Sequence, residues 1–369
     1  MVRQPKQVLI LTQPTDLHAL AVGEALRRKG ADAVLWFTTD FPARGEETVA
    51  LDGGGLTIRL DGPELQVPRL AADTVWRRRP GHLLEDDVFH PADREFANLQ
   101  ALIFRQGLLD TMLPDAFWVN PQAAAKRAQH KMVQQAAAAA LGFPVPDTLY
   151  TNSPRAIRDF LRRQGGRIVY KVFHGSTWRH EEKTWTPFTS LVTEADLVGD
   201  ELLRGVPGIY QAVVPKAHEL RVTVMGRCVM GAKLLSQETE HGRLDWRKSY
   251  GELRMEPTAI APGVREFCFR LMRELGIVFG CFDFVVTPAG ETVFIEVNEM
   301  GQFLFVEAYT GLPLLDAFCD FLLAGSPEFT RSPAAPAALR YSDLEAVATG
   351  LYDAAPARHA VPPEPYWLE

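Results

Sequence analysis

Two carboxylates and one amide draw attention by type and spacing. They lie in Cys281-Phe282-Asp283-Phe284-Val285-Val286-Thr287, Pro288-Ala289-Gly290-Glu291 and Thr292-Val293-Phe294-Ile295-Glu296-Val297-Asn298. Two apolar runs flank a turn at Ala289-Gly290, the pattern of a β-hairpin. Residues facing each other across a hairpin keep a constant sum of positions. Pairing Thr287 with Thr292 fixes that sum and places Asp283 opposite Glu296. Asn298 shares their face, because side chains alternate along a strand. Two carboxylates on one patch of an apolar hairpin repel each other unless something neutralises them. Hard oxygen donors suit Mg²⁺, which keeps waters and shares its shell with phosphates. A proton, or a nearby Lys or Arg, is the other solution.

Cations and hydrogen-bonding edges occur upstream. Lys171 stands in Ile168-Val169-Tyr170-Lys171-Val172-Phe173. A lysine inside an apolar strand needs an anion such as phosphate, or snorkels at a sheet edge. Lys131 follows His130 on an alanine-rich segment and by itself reads as a solvated lysine. The strand over 208–214 ends at Pro215, which leaves backbone groups able to read a base edge. Lys216 follows, then Glu219-Leu220-Arg221-Val222, with charges of both signs on one face. Asp245-Trp246-Arg247 adds a cation that could meet developing phosphate charge. Trp76-Arg77-Arg78-Arg79-Pro80 ends a strand. Its arginines could grip carboxylates bidentately or form a solvated charge run.

The elements that must position these groups change character along the chain. An α/β layer comes first. It has a strand at 7–12, a helix capped by Asp16 with Gly30 past its end, and strands at 34–37, 56–60 and 74–79. The glycines of Asp52-Gly53-Gly54-Gly55 form a turn and match no phosphate-loop pattern. A long helix follows over 91–112. An alanine-rich helix is expected over 122–141, with Gly142 and Pro144 beyond it. Ser153-Pro154 opens another helix, 167–173 is a strand, and a helix over 194–203 carries Asp200 and Glu201 near its end. The later strands, at 219–225, 228–236, 278–287 and 292–298, read as antiparallel, with helices at 262–275 and 313–323. From Gly325 the chain turns to Pro, Ala and Ser and reads as a loose tail, with 339–352 able to form one docked helix. There is no internal repeat.

The 369 residues are 47% hydrophobic with a formal charge of −7, so the chain can bury a core of two or three domains. The acidic balance disfavours a nucleic-acid protein relying on a general basic field. The four cysteines form no CxxC pair, each lies in an apolar run, and buried reduced thiols of a cytoplasmic protein are expected. The apolar run after Lys6 is too short for a signal peptide. No stretch approaches a membrane span.

The order of these pieces resembles the ATP-grasp superfamily of carboxylate ligases. More closely, it resembles the ligases that install ester or amide cross-links in ribosomal peptides, the microviridin-type or graspetide maturases. The stretches that carry the resemblance are Trp76–Pro80, Asn120-Pro121 through Lys131, Phe143–Thr148 and Phe294–Gln302. It implies an α/β pre-ATP-grasp domain (1–121), a lid (122–210), an antiparallel catalytic domain (211–325) and a Pro/Ala-rich tail (326–369). It implies that Lys131 and Lys171 hold ATP phosphates, that Gln211, Ala212 and Val213 form the adenine hinge, and that Glu219 binds ribose. Asp283, Glu296 and Asn298 are implied to carry two Mg²⁺ ions. Arg221 and Arg247 are implied to stabilise the acyl phosphate and the transferring phosphoryl group. The loop 174–189 would cover the phosphates, though its single glycine, Gly175, is fewer than many such loops carry.

The expected reaction activates Asp or Glu side chains of a precursor peptide as acyl phosphates and joins them to Ser or Thr hydroxyls or Lys amines. Arg77, Arg78 and Arg79 would meet the acidic core, and Asp200 and Glu201 a cationic leader segment. A homodimer is implied as well. Two other readings are an ATP-grasp ligase for a small amino acid or added glutamate, and a nucleotide-binding regulator without catalysis. The intact Asp283, Glu296 and Asn298 set disfavours the last.

Overall fold

The computed structural model describes residues 5–81, 88–175, 178–180 and 183–361. The chain begins with β1 (Gln7–Thr12), α1 (Leu17–Arg28) and β2 (Asp32–Phe37). Asp16 caps α1, its Oδ1 accepting the Ala19 N–H at 3.2 Å. Three strands, β3 (Glu46–Asp52), β4 (Gly55–Gly62) and β5 (Leu65–Val67), form a small antiparallel sheet. The chain then returns through β6 (Thr74–Arg77), α2 (Arg94–Thr111) and β7 (Phe117–Val119). These complete a parallel sheet in the order β2-β1-β6-β7.

The alanine-rich segment is broken. It forms α3 (Gln122–Ala128) and α4 (Lys131–Ala140), not the single helix that alanine propensity suggests. Gln134 explains the break. Its amide nitrogen donates to the Ala128 carbonyl at 2.6 Å and to the Val297 carbonyl at 2.8 Å, and its oxygen accepts the Val297 N–H at 2.9 Å. Lys131 thereby becomes the first residue of a helix. Both α3 and α4 pack on the later part of the chain.

Residues 148–212 build a sheet of their own. Its elements are β8 (Thr148–Thr151), α5 (Pro154–Arg163), β9 (Ile168–Lys171), the hairpin β10 (Trp178–His180) and β11 (Lys183–Trp185), β12 (Ser190–Val192), α6 (Asp200–Gly205) and β13 (Gly208–Ala212). The four main strands lie antiparallel in the order β12-β9-β13-β8. The helix expected over 194–203 does not form. Glu194–Asp196 makes one tight turn closed by Thr193 and Asp196, and α6 starts only after Gly199. Asp200 and Glu201 therefore sit in the first turn of a short helix.

The next sheet contains β14 (His218–Met225), β15 (Cys228–Leu234) and β16 (Met255–Thr258). After α7 (Pro262–Leu275) come β17 (Phe279–Val286) and β18 (Thr292–Asn298). The order is β16-β15-β14-β17-β18, all antiparallel. One face is apolar: Val222, Val224, Phe282, Phe284, Phe294 and Val297 pack against Phe267, Leu271 and Leu275 of α7. The period-2 rule turns Glu219, Arg221 and Asp283 to the opposite face.

Helices α8 (Leu304–Thr310) and α9 (Leu314–Ala324) follow, and α9 packs on α1 and β6. The segment after Gly325 is docked rather than loose. Its helix α10 (Glu345–Ala354) packs on α1 with Ala348 buried, and Leu344, just before it, is buried too. Arg331 binds Asp316 at 2.6 Å. Farther on, His359 Nδ1 lies 2.8 Å from Asp40 Oδ2, and the Ala360 N–H donates to Asp40 Oδ1 at 2.7 Å. These charged and backbone anchors do not register as hydrophobic periodicity. Residues 362–369 lie outside the described residues. All four cysteines are buried free thiols, and no described helix is long and apolar enough to cross a membrane.

Candidate active site

The site begins with a register. Arg221 on β14 faces Asp283 on β17, which faces Glu296 on β18. The expected Thr287–Thr292 pair is not formed. Val286 faces Thr292 and Phe284 faces Phe294, so the ladder near the turn is offset by one position from the sequence reading. A bulge beyond Phe284 restores the register, and Asp283 meets Glu296 after all. Asn298 lies beside them, its Nδ2 donating to Asp283 Oδ2 at 3.3 Å.

Each acid has a cation. Arg221 Nη1 bonds Asp283 Oδ2 at 2.7 Å, and its Nη2 donates to the Gln302 carbonyl at 3.0 Å. Lys131, at the start of α4, forms an ion pair with Glu296. Burial alone would raise the Glu296 carboxyl, but Lys131 and Lys171 outweigh it and hold it at about 2. Asp283 behaves oppositely. Burial and its acidic neighbour Glu296 raise it, and Arg221 only partly opposes them.

Lys171 enters the site from the sheet of residues 148–212, at the end of β9. Burial lowers its ammonium to about 8, with Lys131 and Lys216 adding repulsion. Next to it, β13 ends at Ala212. Gln211 is buried and its Nε2 donates to Thr148 Oγ1 at 2.9 Å. The Ala212 N–H is taken by the Asp147 carbonyl at 2.9 Å, so only part of the expected hinge edge is open. Val213, outside the strand, is 39% exposed. Lys216 Nζ contacts Glu219 Oε1 at 3.1 Å. Asp245 chelates Arg247, with Nη2 to Oδ2 at 2.6 Å and Nε to Oδ1 at 2.9 Å, and accepts the Thr189 N–H at 3.1 Å. Burial would raise Asp245, but Arg247 holds it at about 2. Lys131, Lys171, Gln211, Ala212, Val213, Glu219, Arg221, Arg247, Asp283, Glu296 and Asn298 all line this one cleft.

The donor set accommodates a hard cation. It offers two carboxylates and the side-chain oxygen Oδ1 of Asn298, which makes no hydrogen bond among the described residues. No group of three or more His, Cys, Asp or Glu able to hold a metal occurs among the described residues, and the Asn298 amide would supplement the two carboxylates.

No family model and no curated protein matches the chain. Solved structures do. The ATP-grasp ligase PsnB, complexed with a phosphomimetic variant of minimal precursor, Mg and ADP, is 25% identical with a TM-score of 0.68, over 87% of this chain and 98% of that one. The macrocyclase MdnC bound with precursor peptide MdnA, from Microcystis aeruginosa MRC, is 26% identical with a TM-score of 0.75, over 86% and 100%. The macrocyclase MdnB from the same organism is 31% identical with a TM-score of 0.72, over 86% and 99%. This chain belongs to the ATP-grasp macrocyclases. The ATP-grasp fold that the sequence resemblance implied is thus the fold of this ligase.

Within the macrocyclase, the three neighbouring arginines part company. Arg78 is 1% exposed, with Nε 3.0 Å from Asp16 Oδ2 and an N–H donated to the Met300 carbonyl. That burial corrects the expectation that it meets a peptide. Arg77 bonds Gln122 and the Met300 sulfur. Arg79 lies 3.9 Å from Asp16 Oδ2 and lines a cavity beside the cleft. Asp200, on α6, is engaged by Arg158 of α5 at 2.8 Å and is not among the residues lining the cleft. Of the loop expected to cover the phosphates, residues 176, 177, 181 and 182 lie outside the described residues.

Two positioning residues escape sequence reasoning. Asn120 is 1% exposed and makes four hydrogen bonds: to the carbonyls of Phe279 and Glu299, and from the N–H groups of Val278 and Phe279. It ties the parallel sheet to both ends of the carboxylate hairpin. Gln302 carries the carbonyl that orients Arg221. Both lie in stretches that carry the family resemblance, Asn120-Pro121 through Lys131 and Phe294–Gln302, but nothing in the sequence marks these two roles.

Proposed function

We propose that this macrocyclase uses ATP to activate Asp or Glu side chains of a ribosomal precursor peptide and joins them to Ser or Thr hydroxyls or Lys amines. The observation that carries the reading is the charge row Arg221, Asp283, Glu296 and Lys131, facing Lys171 across one cleft. Lys131 and Lys171 bind the phosphates. The exposed end of β13 at Val213 takes the base, with Gln211 and Ala212 behind it, and Glu219 takes the ribose. Asp283, Glu296 and Asn298 hold Mg²⁺, two ions in this reading, which would offset charge on the phosphate oxygens.

The chemistry then needs charge stabilisation more than covalent help from the protein. A carboxylate oxygen of the peptide attacks the γ-phosphorus and ADP leaves. Arg221 and Arg247 stabilise the three-oxygen phosphoryl group in transit and the acyl phosphate that results. The acceptor hydroxyl or amine attacks the acyl carbon, phosphate leaves, and the acceptor's proton is released. The lid sheet excludes water that would hydrolyse the acyl phosphate. A cytoplasmic homodimer is the assembly we favour.

Co-expression with a small acidic peptide encoded beside the gene tests this. Each linkage removes one water from the peptide mass. Asp283→Asn and Lys171→Ala should abolish that loss. ADP release with free amino acids and an unmodified peptide would instead favour the small-amino-acid ligase.

A further inference from the structure

A second cavity opens beside the phosphate cleft. Asp16, His18, Arg79, Tyr309 and Tyr341 line it, with the Asp16 carboxylate held by Arg78 at 3.0 Å and 3.9 Å from Arg79 Nε, so that two guanidinium groups face one acid there; it shares Gln302 and Phe305 with the cleft. Arg221 supports that shared wall. It donates to the Gln302 carbonyl, and its guanidinium lies 5.9 Å from the centre of the Phe305 ring. A group bound in the second cavity is therefore next to the phosphates' own arginine.

His18 is 8% exposed. Its Nε2 accepts two backbone N–H groups, from Phe303 at 3.0 Å and Leu304 at 3.1 Å. A ring nitrogen that accepts carries no proton, so the neutral ring holds its proton on Nδ1. Burial, reinforced by Arg78, keeps the ring's pKa well below its ordinary value. The Nδ1–H finds no acceptor among the described residues. A donor locked in one tautomer, nine-tenths buried and on a cavity wall, has a use when a ligand brings the acceptor.

The far wall comes from an unexpected place. Tyr341 belongs to the Pro/Ala-rich segment after Gly325, and its N–H is fixed by the buried Glu307 carboxylate at 2.7 Å. The same carboxylate accepts the Leu315 N–H at 2.7 Å.

We infer that this cavity is an anchoring subsite for an acidic peptide, in which the His18 Nδ1–H and the Arg79 guanidinium hold a carboxylate beside the side chain being activated. The inference rests on the macrocyclase reading for the peptide as substrate. It makes the C-terminal segment, through Tyr341, part of the substrate site.

Histidine-selective ¹⁵N NMR on the full-length enzyme tests it. The His18 signals are assigned by their loss in His18→Asn. The probes are acetylated, amidated Ala-Ala-Glu-Ala-Ala and its glutamine counterpart. In the free enzyme the ring should be the neutral Nδ1–H tautomer. The glutamyl peptide should move its signals saturably. Arg79→Gln, and separately the glutaminyl peptide, should raise the half-saturation concentration at least about tenfold, the loss of one charge-assisted contact. Tyr341→Ala gives a second variant that leaves both polar groups in place, and it should weaken the same response. A protonated ring, an Nε2–H tautomer, or a response indifferent to Arg79→Gln would overturn the subsite. The two readings fail separately. A His18 response in an enzyme that ligates no peptide keeps the subsite and sinks the ligase. Ligation with an unmoved His18 does the reverse.

Discussion

Lys171 offers the most quantitative test of the cleft. It is a base whose folded pKa, about 8, lies below the ordinary lysine value because it is buried beside Lys131 and Lys216. Its charge is therefore present below about pH 8 and lost as pH rises through that value. A bound triphosphate holds the proton on, so the complex loses it only at a much higher pH. Linkage then fixes the slope. Nucleotide affinity should be flat up to neutrality and fall by one decade per pH unit beyond about pH 8. Between pH 7 and pH 9 the dissociation constant should rise about tenfold, or ~1.4 kcal/mol. The triphosphate itself is fully ionised across that range. Equilibrium binding of MgATP by titration calorimetry, in buffers of matched ionic strength, measures this directly. Lys171→Arg keeps the charge at any of these pH values and should remove the dependence, whatever it costs in absolute affinity. A wild-type affinity that stays level to pH 9 would refute the assignment. So would a tenfold loss that persists in Lys171→Arg.

Other perturbations separate the chemistry from the scaffold. Asp283→Asn should reduce peptide ligation at least about a thousandfold by mass spectrometry, since it removes a proposed metal ligand and the anion that orients Arg221. Asp16→Asn leaves Arg78 buried without its carboxylate and should lower unfolding stability by about 3–5 kcal/mol in a denaturant titration, with nucleotide affinity of the folded fraction unchanged. Asn120→Ala deletes four buried hydrogen bonds and should cost about 2–4 kcal/mol by the same assay. Leu344→Ala opens a hole under the docked C-terminal segment, costing about 2–5 kcal/mol locally. Limited proteolysis should then cut after Gly325 faster than in the wild type.

The parts of this site that are periodic were legible in the sequence, and the parts set by single tertiary bonds were not. Strand alternation alone puts Glu219, Arg221 and Asp283 on one face. The Asp283–Glu296 pairing follows from the same rule, yet the turn is offset by one position and a bulge cancels the offset. A bulge has no composition of its own, so simple counting reached the right pair through a wrong ladder. The alanine run reads as one helix because propensity is local, whereas the Gln134 amide that breaks it bonds across to β18. Arg77, Arg78 and Arg79 look alike in sequence. What sets Arg78 apart is its burial and its close bond to Asp16, which is distant in the chain, also caps α1 and lies farther, at 3.9 Å, from Arg79. His18 carries no signal in the sequence, because its tautomer depends on the distant backbone at Phe303 and Leu304.

The net charge of −7 says little about such a site, because its charges are balanced locally. Glu296 is held by Lys131, Asp283 by Arg221, Asp245 by Arg247 and Glu219 by Lys216, so each of these four acids has a cationic partner. A buried ion left alone is costly, and a site proposed to receive the phosphate charges of ATP would be strained if its cations waited unpaired. The pairing solves both problems with one exchange. Phosphates entering the cleft would draw Lys131 off Glu296, and the released carboxylate would then face the cation that accompanies the nucleotide. Opposite charges are matched before and after. The exchange also explains why Lys131 belongs on a helix start next to β18 rather than on the β9 sheet with Lys171. A lysine fixed to the catalytic sheet can release its carboxylate to an ion bound on that same sheet. Moving the charge to Met132 by the pair Lys131→Met and Met132→Lys preserves composition and helix propensity but turns the amine away from Glu296. That double variant should lose nucleotide affinity as severely as Lys131→Met alone, and recovery of binding by the shifted lysine would show that position on the sheet is irrelevant.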